Sequence, residues 1–186
     1  MNRHLDLCYA GKIFFMQHKM TIAIAALVVV IVAGALTEDA RAQQLAQGQF
    51  RDWAVFTEQR GDDLVCFAAT RATSSAPTTV NHGDVWYNVS SWRSGEARNQ
   101  PSVKVGYNFR QASAPRLTIG RSTWNKFAAG NEAFADDADD PRIVSAIRAG
   151  TVMTLSATSA RGTNVTYRFS LRGSAAAIDK AAELCR

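Results

Sequence analysis

Residues 152–173 read VMTLSATSARGTNVTYRFSLRG, and the class of the fold is decided there. Met153, Leu155 and Ala157 alternate with Thr154, Ser156 and Thr158. After Arg161-Gly162 the alternation resumes, with Val165, Tyr167, Phe169 and Leu171 set against Thr166, Arg168 and Ser170. An apolar residue at every second position is the period of a strand with one buried face, and a glycine-containing gap between two such runs is the turn of a hairpin. Such a hairpin has an apolar face that a second layer must cover.

The same period extends toward the N-terminus. Trp53 and Val55 form one run, and after Gly61-Asp62-Asp63 come Leu64, Cys66 and Ala68 on one face with Val65, Phe67 and Ala69 on the other. Val85, Tyr87 and Val89 alternate, as do Val103, Val105, Tyr107 and Phe109, and Leu117-Ile119 and Trp124-Phe127 supply shorter strands. Arg71 to Gly83 has no period and reads as a loop, and Ser94 to Pro101 reads as a connection. Two segments have helical spacing. Asp140 is placed to cap the first, Pro141 sits where a missing N–H costs nothing, Ile143, Val144 and Ile147 share a face, and Gly150 ends it. The second starts at Ser174 and aligns Ala177, Ile178, Ala181 and Cys185. The expected fold is mainly β, an antiparallel sandwich or barrel-like domain with two short helices, preceded by an N-terminal signal segment.

That signal segment is read from Thr21 to Leu36, an apolar run with Lys19 before it and Glu38 and Asp39 after it. It falls short of the roughly 20 residues that span a bilayer. Ala40-Arg41-Ala42 has the small-x-small form of a cleavage site, so residues 1–42 are expected to be a signal peptide cut before Gln43. Met16 or Met20 would serve equally well as starts. The competing reading is an uncleaved anchor facing the periplasm, and Cys8 lies on the wrong side of the apolar run for a lipid anchor. Gln-rich residues 43–49 read as a flexible lead-in, and 50–186 as a single domain.

The 186-residue chain has a formal charge of +5, with charges interspersed rather than run together, which is a solvated surface and not a nucleic-acid stripe. Two cysteines come after the leader, Cys66 near the start of the domain and Cys185 one residue from its end. An even pair outside the cytoplasm is expected to form a disulfide. His82 is the only histidine beyond the leader, so neither a zinc site nor a triad has a second imidazole to draw on. No catalytic residue, metal or cofactor is assigned. Asp136, Asp137, Asp139 and Asp140 lack the glycine and following glutamate of a calcium loop and are read as charge complementing a helix N-terminus. Trp86 and Trp92 fall on the strand face opposite Val85, Tyr87 and Val89. With Arg93 and Arg98 nearby, they form the candidate interaction surface, because Trp and Arg anchor interfaces. The competing explanation is a second sheet that covers this face as well.

Thr158-Ser159-Ala160-Arg161-Gly162-Thr163, then Tyr167 to Gly173 and the helix to Cys185, resemble the C-terminal half of the invasion-associated locus B family of exported bacterial proteins. Asp52-Trp53, Cys66, Asn99 to Tyr107 and the helix from Ile143 to Gly150 stand in that family's order. Departures fall in loops: Asn108 stands where the family commonly has proline, and Gly130-Asn131-Glu132 stands where it has a Gly-Asp-Gly-like turn. The resemblance implies a periplasmic or secreted β-rich protein with no assigned enzymatic activity, whose named member is associated with host-cell entry. The expected partner is an envelope or host-surface molecule, with no nucleic acid, and with membrane contact only through an uncleaved leader. An envelope hydrolase using His82 and a serine of the Ser74-Ser75 loop or elsewhere is the alternative from a different class, although neither GxSxG nor SxxK is present.

Overall fold

The computed structural model describes residues 43–186, so the expected signal peptide and the alternative starts at Met16 and Met20 lie outside the described residues. In chain order the elements are β1 (Gln44–Phe50), β2 (Trp53–Arg60), β3 (Asp63–Arg71), β4 (Ser74–Ala76), β5 (Trp86–Trp92), β6 (Gln100–Lys104), β7 (Arg116–Ile119), β8 (Ser122–Asn125), β9 (Phe127–Ala129), β10 (Glu132–Phe134), α1 (Asp140–Ala149), β11 (Val152–Thr158), β12 (Asn164–Ser170) and α2 (Ser174–Leu184). A seven-stranded sheet runs β1-β2-β3-β5-β6-β10-β9, and a five-stranded sheet runs β4-β12-β11-β7-β8. Every strand pair is antiparallel. The fold is mainly β, as the alternation requires.

The β11–β12 hairpin pairs Leu155 with Tyr167 and Thr158 with Asn164, which puts Met153, Leu155, Tyr167 and Phe169 on the buried side together. Opposite them lie Trp53, Val55, Tyr87 and Val89 from the seven-stranded sheet, in one core cluster with Ile143 and Ile147 of α1 and Ile178 of α2. Trp53 is fully buried, and its indole N–H donates to the Ser170 carbonyl at 2.9 Å, so its one polar atom is satisfied across the core. The stripe read for the last helix holds, with Ala177, Ile178, Ala181 and Cys185 all buried. Cys185 is bonded to Cys66, with Cα atoms 5.8 Å apart.

Four local readings are corrected. The lead-in over 43–49 is an edge strand, β1, which pairs with β2 across a register shift between Ala46 and Gly48. Its side chains are exposed on both faces, so ladder hydrogen bonds order a segment that has no apolar period. Within the Arg71–Gly83 loop, β4 pairs with β12 for three residues. The run from Val103 to Phe109 is not one strand, because after Lys104 the backbone leaves the ladder and Val105 and Phe109 N–H donate instead to the carbonyls of Asn131 and Gly130. Finally, Asp139 occupies the N-cap of α1, without a side-chain capping bond, and Asp140 is turned into the protein.

α2 begins just after Gly173, which adopts a left-handed conformation at φ 93°. A Cβ on Gly173 would lie 1.9 Å from the Phe50 carbonyl oxygen. Main chain therefore abuts main chain where the end of β1 passes the start of α2, and only glycine satisfies both the dihedral and the contact.

Candidate functional site: the outer face of the seven-stranded sheet

A strand sends alternate side chains to opposite faces, so each inward residue of this sheet has an outward neighbour. In β5 the inward set is Tyr87, Val89 and Ser91, and the outward set is Trp86, Asn88, Ser90 and Trp92. Register sets Val65, Phe67, Ala69 and Arg71 of β3 opposite Trp92, Ser90, Asn88 and Trp86. On the other side of β5, Trp86, Asn88 and Ser90 lie opposite Lys104, Ser102 and Gln100 of β6.

Val65 and Phe67 are only 3% and 9% exposed although, among the described residues, the second sheet lies on the other side. Their cover comes from the face itself. Phe56 stacks on Phe67 with centroids 5.5 Å apart, and Trp86 and Trp92 pack against the same small cluster. The competing explanation, that a second sheet covers both faces, is thereby overturned for the described residues. A groove of about 580 Å³ remains, lined by these aromatics and by the polar side chains of β5 and β6.

Both indoles are held by cations. The Arg71 guanidinium lies over Trp86 at 5.6 Å and pairs with Asp84; Arg60 lies over Trp92 at 5.8 Å and pairs with Glu58 at 2.8 Å. A third pair, Lys104 with Glu132 at 3.2 Å, closes the side beyond β6. Burial pushes the Glu58 carboxyl up, but hydrogen bonds from Arg60 and Gln44 outweigh it and hold the group below its ordinary range.

Of the residues singled out from sequence, Trp86 and Trp92 share this face, and Arg93 and Arg98 do not join them. Arg93 reaches the Leu184 carbonyl at 3.5 Å, and Arg98 borders a separate depression with Pro141, Val144 and Arg148. Sequence reasoning missed Arg60 and Arg71 because cross-strand register, not proximity in the chain, brings them to the tryptophans. Trp124, in β8, is partly buried against the core.

The middle of the face is polar. Asn88, Ser90, Gln100 and Ser102 have no side-chain hydrogen-bond partner among the described residues, in contrast with inward-facing Ser91, whose Oγ accepts the Asn99 N–H at 3.0 Å. Donors and acceptors thus stand unpaired between two fixed indoles.

Two other groups of titratable residues lie away from this face. His82 does not meet Asp84, which is taken by Arg71. Its Nε2 lies 2.8 Å from the Pro77 carbonyl, which can only accept, so Nε2 carries the proton. In the neutral ring Nδ1 then accepts from the Tyr167 hydroxyl at 2.8 Å, and Tyr167 accepts from Tyr107 at 2.7 Å. Burial raises both tyrosine pKa values, which keeps the chain of hydroxyls neutral. Both imidazole nitrogens are committed, and neither bonds to a serine.

The second group is buried. Lys126, 1% exposed, donates to the Pro101 carbonyl at 3.2 Å and lies over the Tyr87 ring at 5.4 Å. Burial pulls its pKa down to about 8 despite the charge of Asp140, and pushes that of Asp140 up to about 6. The Tyr87 hydroxyl and Asp140 Oδ1 are buried without a partner among the described residues. Of the remaining acids of the run, Asp136 accepts the Ala138 N–H and Asp139 pairs with Arg142.

A family model described as "Invasion associated locus B (IalB) protein" matches residues 53–182, from the first residue of β2 into α2. The stretch contains both tryptophans of the outer face and the residues that hold them. No curated protein and no solved structure matches the chain.

Proposed function

The chain belongs to the invasion-associated locus B family, and on that ground we propose that it is an exported, non-catalytic binding protein whose contact surface is the Trp86–Trp92 face. The observation that carries the reading is the uncovered sheet face itself. A contiguous aromatic surface that carries cations on its rings is what an interface anchor requires, and among the described residues no second layer lies over it. Export is supported by the Cys66–Cys185 bridge, since such bonds persist in oxidising compartments, and by the leader read over residues 1–42. The periplasm or the secreted fraction is therefore the proposed location, and a contribution to envelope function or host-cell contact is the proposed role. Absence of catalysis is supported by the state of the two titratable groups: His82 has no free nitrogen, and Lys126 is closed to solvent.

The test is a pull-down with the purified protein from envelope fractions and from host-cell surfaces, alongside a hydrolase panel with a fluorophosphonate probe. Specific capture that is lost in Trp86→Ala and Trp92→Ala supports the proposal. Turnover or labelling of one serine that disappears in His82→Ala, without any capture, overturns it. Mass spectrometry of the native N-terminus checks the location: a chain starting at Gln43 is expected, and one retaining residues 21–36 replaces export by anchoring.

A further inference from the structure

We infer that the Trp86–Trp92 face takes a neutral glycan chain laid along β5, an assignment that rests on this face being the contact surface. Three observations carry it, and each narrows the chemistry of the ligand.

The first is charge. The two cations that line the groove are paired, Arg60 with Glu58 and Lys104 with Glu132, and Arg71, over Trp86, is paired with Asp84. Among the described residues a polyanion finds no unpaired cation there and meets the carboxylates of Asp84 and Glu132, so the groove favours an uncharged ligand.

The second is the unpaired polar centre. Asn88, Ser90, Gln100 and Ser102 offer amide and hydroxyl groups of both polarities and have no partner among the described residues. An apolar protein surface laid over them would strand every one, whereas a chain rich in hydroxyls both donates and accepts. This favours a carbohydrate over a protein.

The third is the placing of the aromatics. Trp86 and Trp92 stand at the two ends of β5, about 20 Å apart at the rise of a strand. Each carries one guanidinium and packs in part against the Val65–Phe67 cluster, and no second ring or cation stacks on either among the described residues. The C–H face of a pyranose is apolar and electropositive and suits the electron-rich face of an indole. Several sugar rings fit between the two, with hydroxyls directed at the amides in the middle. Because the indoles already pack against the Val65–Phe67 cluster and carry the guanidiniums, less side-chain order is lost on binding.

The experiment is a microarray of neutral and acidic oligosaccharides probed with the purified protein, and then native gels cast with the polysaccharide that the array selects. Binding to neutral glycans that survives high salt is expected, with at least a tenfold loss in Trp86→Ala and in Trp92→Ala. Asn88→Ala keeps the aromatic cover of Val65 and Phe67, so it reports on the site even where a tryptophan variant unfolds, and a severalfold loss is expected from it. Binding confined to acidic glycans and abolished by salt overturns the assignment, as does neutral binding that none of the three variants weakens. Absence of all glycan binding overturns it too. If the tryptophan variants then still lose capture of a protein from envelope fractions, the contact surface stands and only the ligand class is wrong.

Discussion

Cys66 of β3 and Cys185, the residue next after α2, are joined with their Cα atoms 5.8 Å apart across 119 residues of chain. The bond closes the domain on itself, because α2 must lie on the sheet for the two sulfurs to meet. In the loop-entropy model a closure of this size is worth about 4–5 kcal/mol, an upper bound where the unfolded chain is compact. Denatured, unreduced protein should resist alkylation at both positions. Cys66→Ser should lower the unfolding free energy as much as the double variant does. Full labelling without reductant removes the bridge and leaves α2 docked by its buried stripe of Ala177, Ile178 and Ala181 alone.

Lys126 and Asp140 make stability depend on pH in a direction opposite to that of a surface ion pair. Asp140 titrates near 6 in the fold against 3.8 as a free group, so between those values the folded state holds a proton that the unfolded state lacks, and stability falls as pH rises. Lys126 titrates near 8 against 10.5, so above 8 the unfolded state binds more protons and stability rises with pH. The two groups together produce a minimum between pH 6 and 8, where both are charged. Denaturant titrations across pH should show the falling limb vanish in Asp140→Asn and the rising limb vanish in Lys126→Met. Replacing both should flatten the profile, with neutral-pH stability no lower than that of the wild type. A flat wild-type profile contradicts the arrangement.

Gly173→Ala is expected to prevent folding. Its Cβ would overlap the Phe50 carbonyl oxygen, and relief needs movement of two backbones rather than one side chain. By contrast Gly61→Ala, at φ 59° in the β2–β3 turn with open space around it, should cost only about 1–2 kcal/mol. Expression and circular dichroism of the two variants side by side distinguish a contact effect from a dihedral one.

The hydroxyl chain from Tyr107 through Tyr167 to His82 should be asymmetric in its energetics. Tyr167→Phe removes the bond to each neighbour and leaves His82 Nδ1 without its donor, at a cost of about 1–3 kcal/mol. Tyr107→Phe leaves the Tyr167–His82 bond intact and should cost about 1 kcal/mol or less. Urea unfolding of the two variants is the check; equal costs would mean that His82 gains nothing from Tyr167.

Side-chain period and composition were enough to read a large part of this fold. Alternation identified the β11–β12 hairpin and the buried faces of β2, β3, β5 and β7, helical spacing identified α1 and α2, and counting cysteines identified the bridge. Each of these is written in which residues are apolar and how far apart they stand. The remainder came into being only when the chain was folded. The strands β1 and β4 exist because a neighbouring edge offers hydrogen bonds, and main-chain pairing leaves no trace in exposed side chains. Asp140 reads as a cap and is instead buried near Lys126, since a carboxylate's burial depends on what the helix is laid against. Arg60 and Arg71, rather than Arg93 and Arg98, stand on the two tryptophans, because strand register carries residues distant in sequence to within stacking distance. That this face has no second layer among the described residues is also a tertiary fact. An alternating strand can be covered on one side or on both, and only the placement of the other sheet chooses between them.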